Sequence, residues 1–367
     1  MKLLEPRPVP LGGLRAMTVR RLLPSKERRM IGAWCFVDHY GPDDVAATGG
    51  MRVAPHPHTG LQTASWIFTG TVEHRDSLGT VADVRPGELN LMTAGYGINH
   101  SEYSTADTQV LHGVQLWIAL PEGHLNTEPA FENFVPPPLT FAARQGVHGA
   151  DSLPLQARVF LGELFLTMGS ATLQGTSPVE TFSPLLGAEI LVGTPGSDPE
   201  AAKNPPADAP HQHFTLTLNP TFERGILVDT GAAIVQGCRI EADQMLYLEP
   251  GSDTLAIETV GETRLIVLGG QPFGEHITMW WNFIGRNHQD IGDARAAWQA
   301  QVEQFEPGAE EGSVTDGALA EGATPETAAG VYPRFGGVVL LPAEYGESMP
   351  VIPAPQLPPV TLKSRGD

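Results

Sequence analysis

The chain carries 41 glycines and 33 prolines in 367 residues, set at short intervals along much of its length. Proline has no backbone N–H to give a helix and its ring clashes with the preceding turn, while glycine loses the most conformational freedom on being fixed. A chain punctuated this densely sustains few long helices. The residues between the breaks are Val, Ile, Leu, Thr and aromatics in short runs, among them 62–68, 110–120, 158–167, 189–193, 213–218, 225–229, 246–248 and 264–268. That is the pattern of short strands ended by turns, and it predicts an all-β architecture.

The length allows two domains, each with its own core. From Pro136-Pro137-Pro138 to about Pro154 few apolar residues recur in any period, so this stretch is read as a connector between an N-terminal domain, 1–135, and a second domain, 155–275. The second half repeats the first in outline, with a hairpin expected near Thr230-Gly231 and Glu249-Pro250-Gly251 where the first half has Arg85-Pro86-Gly87. Beyond lies an extension, 276–367, that opens with the aromatic patch Trp280-Trp281-Asn282-Phe283. From Asp290 to Phe305 the spacing of Ile291, Ala294, Ala297, Trp298, Val302 and Phe305 predicts one amphipathic helix. Glu306 to about Ala329 is acidic and rich in Gly, Ala and Thr, as a flexible linker would be, and the Pro-rich end is expected to be extended.

The chemistry is concentrated in the first half. His56-Pro-His58 and His100-Ser-Glu102 stand at the ends of two β-rich stretches. Side chains on a strand repeat direction every second residue, so each pair can point to one face, and three imidazoles and a carboxylate can meet at one divalent ion. Such donors suit Fe(II), Mn(II), Ni(II), Cu(II) or Zn(II), and four of them leave two exchangeable positions on an octahedral ion. A lone His-x-His is more often a pair of ordinary strand histidines; the His-x-Glu that follows is what makes the metal reading the better one. Gly95 and Gly97 flank an expected tight bend that would aim His100 inward.

Taken together, His56-Pro-His58-Thr-Gly60, His74-Arg-Asp-Ser-Leu-Gly79, Arg85-Pro-Gly87 and Met92-Thr-Ala-Gly95-Tyr-Gly97-Ile-Asn-His100-Ser-Glu102 closely resemble the pirin family, a bicupin branch of the cupin superfamily. The resemblance is strong over roughly the first 120 residues and looser beyond. It implies two jelly-roll β-barrels in tandem, with His56, His58, His100 and Glu102 as metal ligands and iron, as Fe(II), the usual ion, one per chain. It also implies either quercetin 2,3-dioxygenase-type ring cleavage, with a small aromatic substrate and O₂ as partners, or a non-enzymatic, redox-sensing role towards a protein partner; in the enzyme reading Glu102, a ligand carboxylate with a free oxygen, is the candidate catalytic proton acceptor. Many family members have Glu where this chain has Gln62, in phase with His58 on the His-x-His strand, so Gln62 is expected to face the site as a neutral group.

Gln115 and Met92 join Gln62 as candidate substrate contacts; Trp66, Phe68 and Trp117 read as core or pocket-wall aromatics. His74 and Asp76 are either a pair supporting a ligand or, more simply, a turn with its salt bridge. The second half has its own His211-Gln-His213 but no His-x-Glu after Glu249-Pro-Gly251, so that domain is expected to hold no metal. A formal charge of −20 with no basic run argues against nucleic acid and anionic membranes as partners. Two distant cysteines, Cys35 and Cys238, with no signal-peptide core and no membrane-length apolar run, point to the cytoplasm.

Overall fold

Antiparallel pairing in the first half produces two sheets that face each other across one interior. The computed structural model describes residues 1–11, 17–143, 153–193, 209–303, 334–337 and 351–366. The larger sheet has seven strands in the order Ala130–Phe134, Leu89–Thr93, Leu61–Thr69, Val110–Ala119, Trp34–Asp44, Met17–Leu23 and Arg7–Leu11. The smaller has four, Arg52–His58, Ile98–Ser104, Val72–Asp76 and Val81–Val84. Apolar side chains from both, including Met92, Ile98 and Trp117 at one end and Tyr40, Val53 and Leu111 at the other, fill the space between them.

The second half, joined by the first strand of the chain, forms an eleven-stranded sheet built on two long strands, Glu223–Val235 and Thr254–Gly270, curling around its own apolar core. With the first half it makes a tandem cupin fold. The hairpin expected near Thr230-Gly231 is not there. Glu223–Val235 runs straight through, with register shifts around Thr230, and the chain reverses at Gln236-Gly237, both at positive φ as a two-residue hairpin turn requires. Gly231 serves a bulge instead: a Cβ there would stand 2.4 Å from the Glu262 carbonyl oxygen. Likewise the run 158–167 is two strands, Leu155–Leu161 and Glu163–Met168, broken at Gly162, φ +71°.

The two barrels share a core. Leu22, Trp34, Val37 and Trp66 of the first pack with Phe160, Leu227, Met245 and Ile266 of the second, and Trp66 stacks on Phe160 at 4.6 Å. Trp34 Nε1 donates to the Gly269 carbonyl at 3.0 Å, and Arg28 pairs with Glu223 across the junction. The strand Lys2–Leu4 pairs with Met245–Leu248, so the expected N-terminal domain 1–135 lends its first strand to the other barrel. Within the connector read at 136–154, Leu139–Phe141 pairs with Leu155–Leu161.

The extension packs on the first barrel. The helix spans His288–Glu303, capped by Asn287, whose Oδ1 accepts from the backbone N–H of Gln289 and Asp290. It buries Ile291, Ala294 and Trp298 against Phe283, Phe335 and Ala354. Phe305 and the linker expected over 306–329 lie outside the described residues. No helix among the described residues is long and apolar enough to cross a membrane.

Candidate metal centre

Three imidazoles converge inside the first barrel. His56 and His58 come from the strand Arg52–His58 and His100 from its antiparallel neighbour Ile98–Ser104, where His100 lies opposite His56. Gly95, at φ +52°, turns the chain into the second of these strands so tightly that a Cβ would lie 1.9 Å from the Thr127 carbonyl oxygen. The bend expected at Gly95 and Gly97 is therefore present. All three histidines are at most 6% exposed, and one donor nitrogen from each lies within 4.8 Å of the others.

Their hydrogen bonds decide which nitrogen faces inward. His56 Nδ1 is 2.9 Å from the Ala54 carbonyl and His58 Nδ1 is 3.2 Å from that of Asn282. A carbonyl only accepts, so each ring carries its proton on Nδ1 and presents a bare Nε2. For His100 the partner is a chain of side chains: Asp76 Oδ2 lies 3.2 Å from His74 Nε2, and His74 Nδ1 lies 3.3 Å from His100 Nδ1. If His74 donates to Asp76 it accepts from His100, whose Nε2 is then bare as well. His58 Nε2 and His100 Nε2 stand 3.0 Å apart. Two lone pairs at that distance repel unless a cation lies between them.

Burial pushes the proton affinity of these rings down, His56 to about 4 and His58 and His100 well below the usual histidine range. They are neutral and ready to bind metal near pH 7. Glu102, 7% exposed, lines the same cavity but groups with His74 and His100 rather than with all three inward-facing rings. The strand's pairing with Arg52–His58 shifts register between His100 and Glu102. Burial raises the Glu102 carboxyl above its usual value, and His74 partly offsets this.

The cavity, about 420 Å³, is walled by Phe36 and Trp117, which stack at 4.1 Å, by Met279, Trp280 and Trp281 of the extension, and by Arg21 and Gln115. Arg21 is held by a two-point pair with Asp38, both contacts 2.7 Å. Of the three substrate contacts expected from sequence, only Gln115 lines the cavity. Gln62 is not on the His-x-His strand: Thr59-Gly60 ends that strand, and Gln62 lies on the next, in the seven-stranded sheet, donating to Thr93 Oγ1 at 2.9 Å. Met92 is 1% exposed and packs in the core. His74 and Asp76 fill both roles weighed for them, since Asp76 Oδ1 also accepts from the backbone of Leu78 and Thr80. His211 and His213 are exposed on the second barrel, with His211 paired to Glu258.

No motif or spacing marks Arg21, Phe36 or the Asn282 carbonyl. Arg21 and Phe36 fit an ordinary strand pattern, and a main-chain acceptor leaves no mark in side-chain identity.

Comparison with known proteins bears on the family and the fold. A family model described as Pirin matches residues 16–118, and one described as Pirin C-terminal cupin domain matches 208–305. A Pseudomonas aeruginosa protein named "Putative quercetin 2,3-dioxygenase" is 40% identical, covering 82% of this chain and 84% of its own. A pirin-like protein of Caulobacter vibrioides is 31% identical over 77% of this chain and 88% of its own. The crystal structure of a quercetin 2,3-dioxygenase from Acinetobacter baumannii superposes with a TM-score of 0.72 at 31% identity, covering 99% of this chain and 97% of that one.

Proposed function

Because the chain belongs to the pirin family, we propose that it is a metal-dependent dioxygenase that cleaves a small aromatic enediol of the flavonol kind. His56, His58, His100 and Glu102 hold a single ion, taken as Fe(II). The observation that carries this reading is the pair of bare Nε2 atoms of His58 and His100, 3.0 Å apart, with their Nδ1 atoms engaged elsewhere. Neutral imidazoles and a carboxylate fit a borderline divalent ion. When bound, such an ion supplies Lewis acidity to a substrate hydroxyl and a route to O₂.

The chain's own residues do the rest. The stacked Phe36 and Trp117 and the indoles of Trp280 and Trp281 make a slot suited to a flat ring. Gln115 accepts from Ser65 Oγ through Oε1 at 2.8 Å, which fixes the amide and keeps its NH₂ for a substrate oxygen. Arg21, braced by Asp38, offers a cation to the anionic form of the substrate. Glu102 takes the hydroxyl proton, since its raised proton affinity holds a transferred proton better than an exposed carboxylate would. The enclosure of all four donors favours this reading over a surface sensor, which must show the state of its ion to a partner.

The test is oxygen uptake and product formation by iron-loaded protein with flavonols and simpler enediols. Turnover should be lost in His58→Ala and should fall in Glu102→Gln while iron is retained. No oxygen uptake by protein shown to contain iron, or by protein loaded with Mn, Ni, Cu or Zn, overturns the proposal.

A further inference from the structure

A second cluster lies some way along the same chain, between the barrels. His39 comes from the strand Trp34–Asp44 and His112 from Val110–Ala119, both in the first barrel, while Asp229 comes from Glu223–Val235 in the second. All three are at most 4% exposed. Asp229 Oδ1 is 2.6 Å from His39 Nε2 and 2.6 Å from His112 Nε2, and the two nitrogens are 3.3 Å apart. We propose that His39, His112 and Asp229 form a second divalent-cation site, closed to solvent, that clasps the two barrels together.

Atoms bound to one zinc-like ion at about 2.0–2.1 Å stand roughly 3 Å from each other. The two nitrogens, 3.3 Å apart, already do, and Asp229 Oδ1, now at hydrogen-bond distance from both, completes the set when it moves outward by about half an ångström. His39 Nδ1 accepts from Arg20 Nε at 3.4 Å, which leaves the ring proton on Nε2, in the 2.6 Å contact with Asp229 Oδ1. An ion at this site takes the place of that proton, since metal binding to imidazole releases the proton that occupied the ligating nitrogen.

The neighbouring charges leave the ligand oxygen available. Arg264 Nη1 and Thr230 Oγ1 both engage Asp229 through Oδ2, at 3.1 and 2.7 Å, and Arg264 also pairs with Glu189 at 3.2 Å. Arg20 pairs with Asp243 at 3.0 Å and lies 3.4 Å from His39 Nδ1. Two imidazoles and one carboxylate suit zinc or cobalt. Their burial assigns the ion a structural role, with nowhere for a substrate to approach.

The competing occupants are the protons of the two hydrogen bonds from His39 and His112 to Asp229. Metal content separates the two. Full-length protein is stripped with chelator, incubated with Zn(II) or Co(II), desalted and analysed for metal. Two ions per chain are expected in the wild type and one in each of His56→Ala, His112→Gln and Asp229→Asn, the last two retaining hydrogen-bonding capacity in place. A wild-type content that neither His112→Gln nor Asp229→Asn reduces overturns the site. Loss in these variants with none in His56→Ala supports it and counts instead against the histidine centre in the first barrel. If the inter-barrel variants do not fold, His56→Ala carries the test: it should keep one Co(II) and melt several degrees lower with chelator, and an unchanged melt with no bound cobalt refutes the clasp.

Discussion

His74 shows how a residue that lines no part of the cavity can set the competence of the proposed metal centre. It stands between Asp76 and His100 and fixes the His100 proton on Nδ1. Removing it leaves His100 free to take the other tautomer or turn its ring. His74→Ala should therefore weaken metal affinity about 10- to 100-fold, measured by calorimetric titration of the stripped protein. An unchanged affinity would mean that packing alone orients His100. Cys35 gives a second residue-scale expectation. It is 1% exposed and burial pushes its thiol up to about 12, so native protein at pH 8 should react with thiol reagents at the half-buried Cys238 alone. Between pH 9 and 12 the folded state keeps a proton that the unfolded state releases, so stability falls as pH rises, by at most roughly 1.4 kcal/mol per pH unit from this group. Cys35→Ala should show a shallower alkaline limb in urea melts taken from pH 9 upward. At this scale the convergence of His56 and His58 on one cavity was legible because a two-residue period forces them to one face. Gln62 was not, because alternation tells which residues share a face but not where one strand ends and the next sheet begins, and Gly60 ends this one at φ +71°.

Among the elements, the short hairpin Thr278–Trp280 and Phe283–Gly285 matters most to the site. Its turn holds Trp281 at φ +53°, a conformation that costs a non-glycine residue on the order of 1 kcal/mol. The turn presents the Asn282 carbonyl to His58 and the indole to the cavity. Trp281→Gly removes the strain together with the packing of Trp281 on Phe283, so the melting temperature should move little. Binding of an aromatic ligand, by contrast, should weaken roughly tenfold, the loss of one good ring contact, and calorimetry on the metal-loaded variant would read it. Equal affinity would place the ligand away from this wall. The sequence marked 280–283 as an aromatic patch and the helix after it by period, starting two residues late because the Asn287 cap lies outside the apolar repeat. That this extension roofs the first barrel depends on contacts distant in sequence, such as Asn99 Nδ2 donating to the Phe335 carbonyl at 2.6 Å.

For the molecule as a whole, the two barrels were legible as two halves, and their shared core was not. An inward-facing and an interface-facing apolar residue look alike in a strand buried on both sides, so Trp34 and Trp66 read simply as core. The shared core argues against independent folding. Phe160, 0% exposed, fills the space beside Trp66 and above Gly187, where a Cβ would come within 2.1 Å of its ring. Phe160→Ala should cost about 3–5 kcal/mol, the cost of a large buried cavity, and because the cavity opens between the barrels both should lose stability together. Thermal unfolding followed by calorimetry should then show one transition in the wild type and one, lowered, in the variant. The exchanged strand strengthens the expectation: Leu4, fully buried, belongs by sequence to one barrel and by pairing to the other, so neither barrel is complete when the chain is cut at the connector. Two transitions, with only the second barrel's lowered by Phe160→Ala, would show that each closes on its own core and that the interface between them contributes little.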